Sequence, residues 1–240
     1  MAPPSNVASR LRERAQVLSA RVIDEMYANP FWDDRFAARG RKHAEQDAQY
    51  HVTYLATAVD MGSPTVMEHY AVWLRGVLTS RGICTRHLDE NFERLADSIA
   101  FDSEVSHHRE LIEYLARARN ALYYDDPVAR ELQTRGHELA DRVYSTLANQ
   151  ESFELVPGIN SVDDIRYLIS FVADAIVERS PEHLASHLRW MDAFRQRVDC
   201  SEDVVDQVLI ALDETFGMLS GNAGRHARQL LEDARAQSRE

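Results

Sequence analysis

Apolar residues recur three and four apart along almost the whole chain, the spacing that gives a helix one buried stripe. Over residues 9–27 the stripe is Leu11, Ala15, Leu18, Val22 and Met26, and Asn29-Pro30 closes the run because a residue before proline is pushed out of the α region. A second helix is predicted over 36–61, with Ala37, Ala44, Ala48, His51, Leu55 and Val59 on one broad face and Gly62 as a left-handed cap. Ser63-Pro64 then reads as an N-cap followed by proline in the first turn, an arrangement repeated at Ser180-Pro181. Further helices are predicted over 66–80, 85–100, 105–124, 128–149, 161–178, 181–198, 202–219 and 222–238. No β-branched run of period two interrupts them, so the fold class is all-α.

The pattern occurs twice. A shift of 117 places Trp73 on Trp190, Asp47 on Asp164, Tyr50 on Tyr167, Tyr54 on Phe171, Ala58 on Ala175, Pro64 on Pro181, Leu88 on Val205, Phe92 on Leu209 and Leu95 on Leu212, with no gap. Upstream, Leu18, Arg21 and Val22 meet Leu139, Arg142 and Val143 at a shift of 121, which puts a four-residue difference in the loop between the first two helices of each copy. Two tandem domains follow, residues 8–124 and 128–238, with Tyr123–Pro127 as the boundary.

Composition removes several function classes. A chain of 240 residues that is 45% hydrophobic can bury two cores of about 110 residues each. The net charge of -12, with basic residues dispersed among acids, argues against a nucleic-acid partner. Cys84 and Cys200 stand in no metal-ligand spacing, so free thiols and a cytoplasmic setting are expected. The opening MAPPSNVASR lacks the apolar core of a signal peptide, and no run of roughly 18 apolar residues suggests a membrane span. A phosphate-binding glycine loop, a nucleophile elbow and HExxH are all missing, which points away from an enzyme and leaves no catalytic residue to nominate.

One stretch resembles a known family. Residues 41–95, RKHAEQDAQYHVTYLATAVDMGSPTVMEHYAVWLRGVLTSRGICTRHLDENFERL, are similar to the part of phycobiliproteins that runs from the bilin-bearing helix through a turn into the next helices. The stretch also resembles bilin-associated globins and a helical region of bacterial cobalamin-domain regulators. The resemblance implies two globin-like helical repeats and a tetrapyrrole ligand, whether bilin, haem or cobalamin-like. It places Asp47, and Asp164 in the second copy, where the family uses an aspartate to accept pyrrole N–H donors, charge-assisted bonds that favour a cationic chromophore. The family's thioether cysteine falls on Ala44 and on Ser161, so binding at that place would be noncovalent. The competing expectation for Asp47 and Asp164 is a solvated helical acid or an early-turn charge near a helix N-terminus.

Around Asp47 and Asp164, the aromatic and polar positions Tyr50, His51, Tyr54, Tyr70, Trp73, Tyr167, Phe171 and Trp190 could line a flat pocket and stack on a conjugated ligand; equally, they could be core. Haem ligation would need a proximal histidine, and His69, His183 and His187 are candidates, yet none repeats: His69 meets Ser186 and His187 meets Tyr70. His183 and His187 stand four apart without a third ligand, so no metal site is assigned. The expectation is a noncovalent tetrapyrrole-binding or sensing protein, bacterial in resemblance. The alternative is a ligand-free helical scaffold that docks a protein partner or forms a homodimer, and a helical metal-carboxylate enzyme comes third.

Overall fold

The helical spacing is realised as ten α-helices in a computed structural model that describes residues 4–151, 153–219 and 221–239, apart from the side chains of residues 4, 5 and 38. No strand occurs among the described residues, and no helix among them is long and apolar enough to cross a membrane. The helices are α1 (Pro4–Met26), α2 (Pro30–Asp60), α3 (Thr65–Thr79), α4 (Thr85–Ala100), α5 (His108–Ala121), α6 (Pro127–Ala148), α7 (Val162–Glu178), α8 (Glu182–Arg197), α9 (Val204–Gly217) and α10 (Asn222–Ser238).

Contacts divide the chain into two compact units. One comprises Met1–Val77 with His87–Leu122, and the other Leu78–Arg86 with Tyr123–Glu240. In the first, α1 packs along α2 and α5 against α2. Ser98 of α4 donates to the Leu18 carbonyl of α1, and Arg119 of α5 pairs with Asp89 of α4 at 2.7 Å. In the second, α6 packs along α7 and α9, and α10 contacts α6, α7, α8 and α9. Leu18, Val52, Leu55, Phe92, Leu95 and Leu111 fill the first core; Val143, Ile165, Leu168, Phe171, Leu212 and Phe216 fill the second.

Several predicted boundaries move: α1 opens at Pro4 rather than at residue 9, α5 spans His108–Ala121 rather than 105–124, and the largest shift is in α2. α2 opens at Pro30, not at Phe36, because Asn29 accepts the Phe31 N–H (2.8 Å) while Pro30 occupies the first turn. The dipeptide that stops one helix therefore starts the next. α2 is then broken at Ala37 (φ 50°), and a Cβ on Gly40 would lie 2.2 Å from the Phe36 Cβ, so only glycine permits that close approach.

The turns of the two halves match at the shift seen in the sequence. Gly62 (φ 58°) and Arg179 (φ 52°) are the left-handed residues after α2 and α7. Across these turns the Ser63 and Ser180 N–H groups donate to the Ala58 and Ala175 carbonyls. Gly82 and Asp199 repeat this after α3 and α8, where Ile83 N–H donates to Leu78 O and Cys200 N–H to Arg195 O. Holding a non-glycine residue there costs on the order of 1 kcal/mol, which the surrounding turn offsets in the second half.

Candidate functional site

Helical spacing sets three aromatic rings in a row where α2 meets α3. Tyr54 stacks on Tyr70 with ring centroids 3.8 Å apart and an interplanar angle of 15°, and Tyr70 lies 6.1 Å from Trp73 at 31°. Tyr70 and Trp73 are one turn apart on α3, so the ladder runs along that helix. The second unit builds the same ladder from the residues at the same shift. Phe171 of α7 stacks on His187 of α8 at 4.0 Å and 17°, and His187 lies 5.4 Å from Trp190 at 23°.

Exposure separates the two ladders. Trp73 is 59% exposed and Tyr54 39%, whereas Trp190 is 9% exposed and Phe171 fully buried. Phe194 of α8 continues the second ladder, stacked on Trp190 at 5.3 Å and 18°, with the Arg197 guanidinium above it at 5.9 Å. The position 117 residues earlier is Val77, which adds no ring to the first ladder. The first unit thus presents an open aromatic face and the second a closed one.

Behind the open face, His51 of α2 is buried and its Nδ1 is hydrogen-bonded to the Tyr70 hydroxyl at 2.7 Å. Burial lowers the His51 imidazole to about 3, so it is neutral. Burial also raises the Tyr70 phenol, helped by the negative charge of Asp47 and then by Tyr54, so the hydroxyl keeps its proton. Asp47 is half-buried and close enough to act on Tyr70 in this way. Tyr50 is 50% exposed and accepts a 3.4 Å hydrogen bond from Gln46. Of the positions singled out in this unit, Tyr54, Tyr70 and Trp73 form the ladder, His51 bonds to Tyr70 from behind, the charge of Asp47 reaches Tyr70, and exposed Tyr50 stands one turn before Tyr54 on α2.

The second-copy residues have other employment. Asp164 is buried in a capping box, where its Oδ2 accepts the Ser161 Oγ–H (2.5 Å), the Ser161 N–H (3.1 Å) and the Gly158 N–H (2.8 Å). This is the early-turn role at a helix N-terminus: the Asp164 carboxylate holds N–H groups of the residues leading into α7, while the Asp164 N–H, which α7 would otherwise leave orphaned, donates to Ser161 Oγ at 3.2 Å. Tyr167 is buried, as is Trp190 beneath Phe194. Among the histidines, His69 is exposed, while His183 and His187 pack against Phe171 at 4.8 and 4.0 Å. No group of three metal-ligating side chains occurs among the described residues.

Two features were missed by sequence reasoning. One is Phe194, whose ring breaks the symmetry of the repeat. The other is Asp174 of α7, fully buried in the second unit, which accepts the Thr85 N–H (2.8 Å), the Thr85 Oγ–H (2.7 Å) and the Tyr124 O–H (2.9 Å). Beside it, Arg86 N–H donates to Ser170 Oγ at 3.0 Å. The first N–H groups of α4 are thus capped by side chains of α7 distant in sequence. Burial pushes the Asp174 carboxyl up to about 6 despite the hydrogen bonds from Thr85 and Tyr124 that favour its charge. Comparison of the chain with protein-family models, with curated proteins and with solved structures found no match.

Proposed function

We propose that the chain is a tandem pair of globin-like helical units acting as a noncatalytic binding or sensing module, and that its first unit holds a flat conjugated ligand of the tetrapyrrole class on the Tyr54–Tyr70–Trp73 face. The observation that carries this reading is the open ladder in the first unit beside its closed counterpart in the second. Stacked rings contribute about 0.5–1.5 kcal/mol per pair beyond the area they bury. Tyr54 and Trp73 are held in the ladder by Tyr70 between them, and each keeps part of its ring surface exposed for a further stacking contact. Asp47 supplies the polar anchor, a carboxylate able to accept N–H donors of a cationic ligand at the edge of the face.

The residues fit a ligand held by stacking and N–H bonds better than one held by iron. His51 is engaged with Tyr70, and its basicity is suppressed by burial. His69 faces solvent rather than the ladder's interior. With Ala44 and Ser161 at the places of the family's cysteine, attachment is noncovalent. A second reading, a scaffold that docks a protein partner or another copy, rests on the same exposure of Tyr50, Tyr54, Val72 and Trp73.

The test is the visible absorption spectrum of the purified protein before and after addition of haem, biliverdin or cobalamin, repeated with Asp47→Ala. A sharpened, red-shifted biliverdin band that the substitution weakens supports the reading. No spectral change with any of the three rejects it and leaves the scaffold.

A further inference from the structure

Packing and backbone geometry pull the start of α2 in opposite directions. Phe31 is 2% exposed and stacks on His87 of α4 at 4.7 Å and 14°, and Trp32 is 5% exposed, edge-on to the same ring at 5.0 Å and 6.1 Å from Tyr27. Phe36 closes the cluster, 5.8 Å from each of Phe31 and Trp32. Burial of these rings holds residues 30–36 down. Against it stands Ala37, at φ 50° and ψ -167°, a region that glycine alone occupies readily, although alanine is the strongest helix former. The Tyr27 hydroxyl and the Asn91 Oδ1, one turn past His87 on α4, are buried with no hydrogen-bond partner among the described residues, a further cost of the seated form.

Two arrangements of α2 therefore compete. With Ala37 helical, α2 runs straight, the strain is gone, and residues 30–36 leave His87. With Ala37 broken, the rings are seated and Phe36 lies against Gly40, where a Cβ would stand 2.2 Å from the Phe36 Cβ. Only glycine at position 40 permits the seated form. The second unit has no such segment, because no helix occurs between Ala148 and Val162 among the described residues. We propose that residues 30–36 are a flap hinged at Ala37, seated with α2 broken and lifted with α2 straight, whose lifting opens the His87–Asn91 face of α4 to solvent. Flap, hinge and seat all lie within the first unit. The flap joins α1 through the Ala28-Asn29 turn, the second point about which it swings.

Trp32 reports the position of the flap, because Trp73→Phe together with Trp190→Phe leaves it as the sole tryptophan. In that background Gly40→Ala lifts the flap: acrylamide quenching of Trp32 rises about twofold or more and its emission moves to the red, while circular dichroism shows the helix content kept. Ala37→Gly acts the other way, because glycine relieves the seated form and weakens the straight helix, so hydrogen exchange at the amides of residues 31–36 slows about threefold or more. Quenching unchanged by Gly40→Ala in a folded protein, or exchange that Ala37→Gly leaves unaltered or speeds, overturns the inference. If Gly40→Ala loses its helix content, the exchange rates of the native protein and Ala37→Gly decide alone.

Discussion

Asp174→Ala removes the acceptor that holds the start of α4, and its cost can be worked from the buried cluster. Three donors converge on the carboxylate: Thr85 N–H, Thr85 Oγ–H and Tyr124 O–H. The two hydroxyls lie 3.1 Å apart and can bond to each other, but the backbone N–H has no such option. One orphaned buried donor costs about 1–3 kcal/mol, so the variant is less stable near neutral pH by that order. The pH dependence is the sharper signature. An acid whose folded value is raised from 3.8 to about 6 binds its proton more tightly in the folded state. Its stabilising contribution is full below the unfolded value and is lost as pH rises through about 6. Between about pH 7 and about pH 5 the native protein therefore gains roughly 1.3 kcal/mol through this group, and the alanine variant gains none. Denaturant unfolding of both proteins at the two pH values measures the difference. A stability gap that stays constant or narrows toward pH 5 refutes the reasoning.

His51→Leu changes stability with the opposite pH trend. The imidazole is lowered from 6.5 to about 3, so its contribution is present above pH 6.5 and is lost as pH falls; the deficit of the variant, about 1–2 kcal/mol from the orphaned Tyr70 hydroxyl, shrinks by roughly 2 kcal/mol toward pH 5 in the same unfolding assay, and a widening deficit contradicts this. Asp164→Ala dismantles the capping box and lowers stability by about 1–2 kcal/mol while leaving biliverdin affinity unchanged, whereas a weakened affinity in a titration returns Asp164 to the ligand site. Gly40→Ala drives a methyl group to within 2.2 Å of the Phe36 Cβ and costs about 1–3 kcal/mol in thermal unfolding; a neutral result means that the break at Ala37 relaxes freely.

The helical fold was legible because period and punctuation agree. Apolar stripes three and four apart, Gly62 at a left-handed cap and Asp126 before Pro127 all describe elements that form within a few residues of where the pattern puts them. The break in α2 was illegible, since alanine at position 37 favours helix and only the seating of Phe36 on Gly40 reveals it. Within the site, the repeat marked Tyr54, Trp73 and their partners as equivalent positions. It could not say which copy was open, because the burial of Trp190 goes with helix packing around α8, α10 among its partners, which the pattern within one helix does not record. Ser161 and Asp164 had the spacing of a capping box, so the early-turn role was readable alongside the ligand role, and the hydrogen bonds show Asp164 in that role. Nothing in the sequence singled out Asp174, because its partner Thr85 lies 89 residues away in sequence and only folding brings them together.

The most direct test of the open-face account is a biliverdin titration followed by tryptophan quenching in the native protein, Trp73→Ala and Trp190→Phe. The account predicts saturation at one ligand per chain, affinity weakened about fivefold or more by Trp73→Ala from the loss of on the order of 1 kcal/mol of stacking, and no change in Trp190→Phe. Equal weakening by both substitutions, or quenching that never saturates, contradicts it.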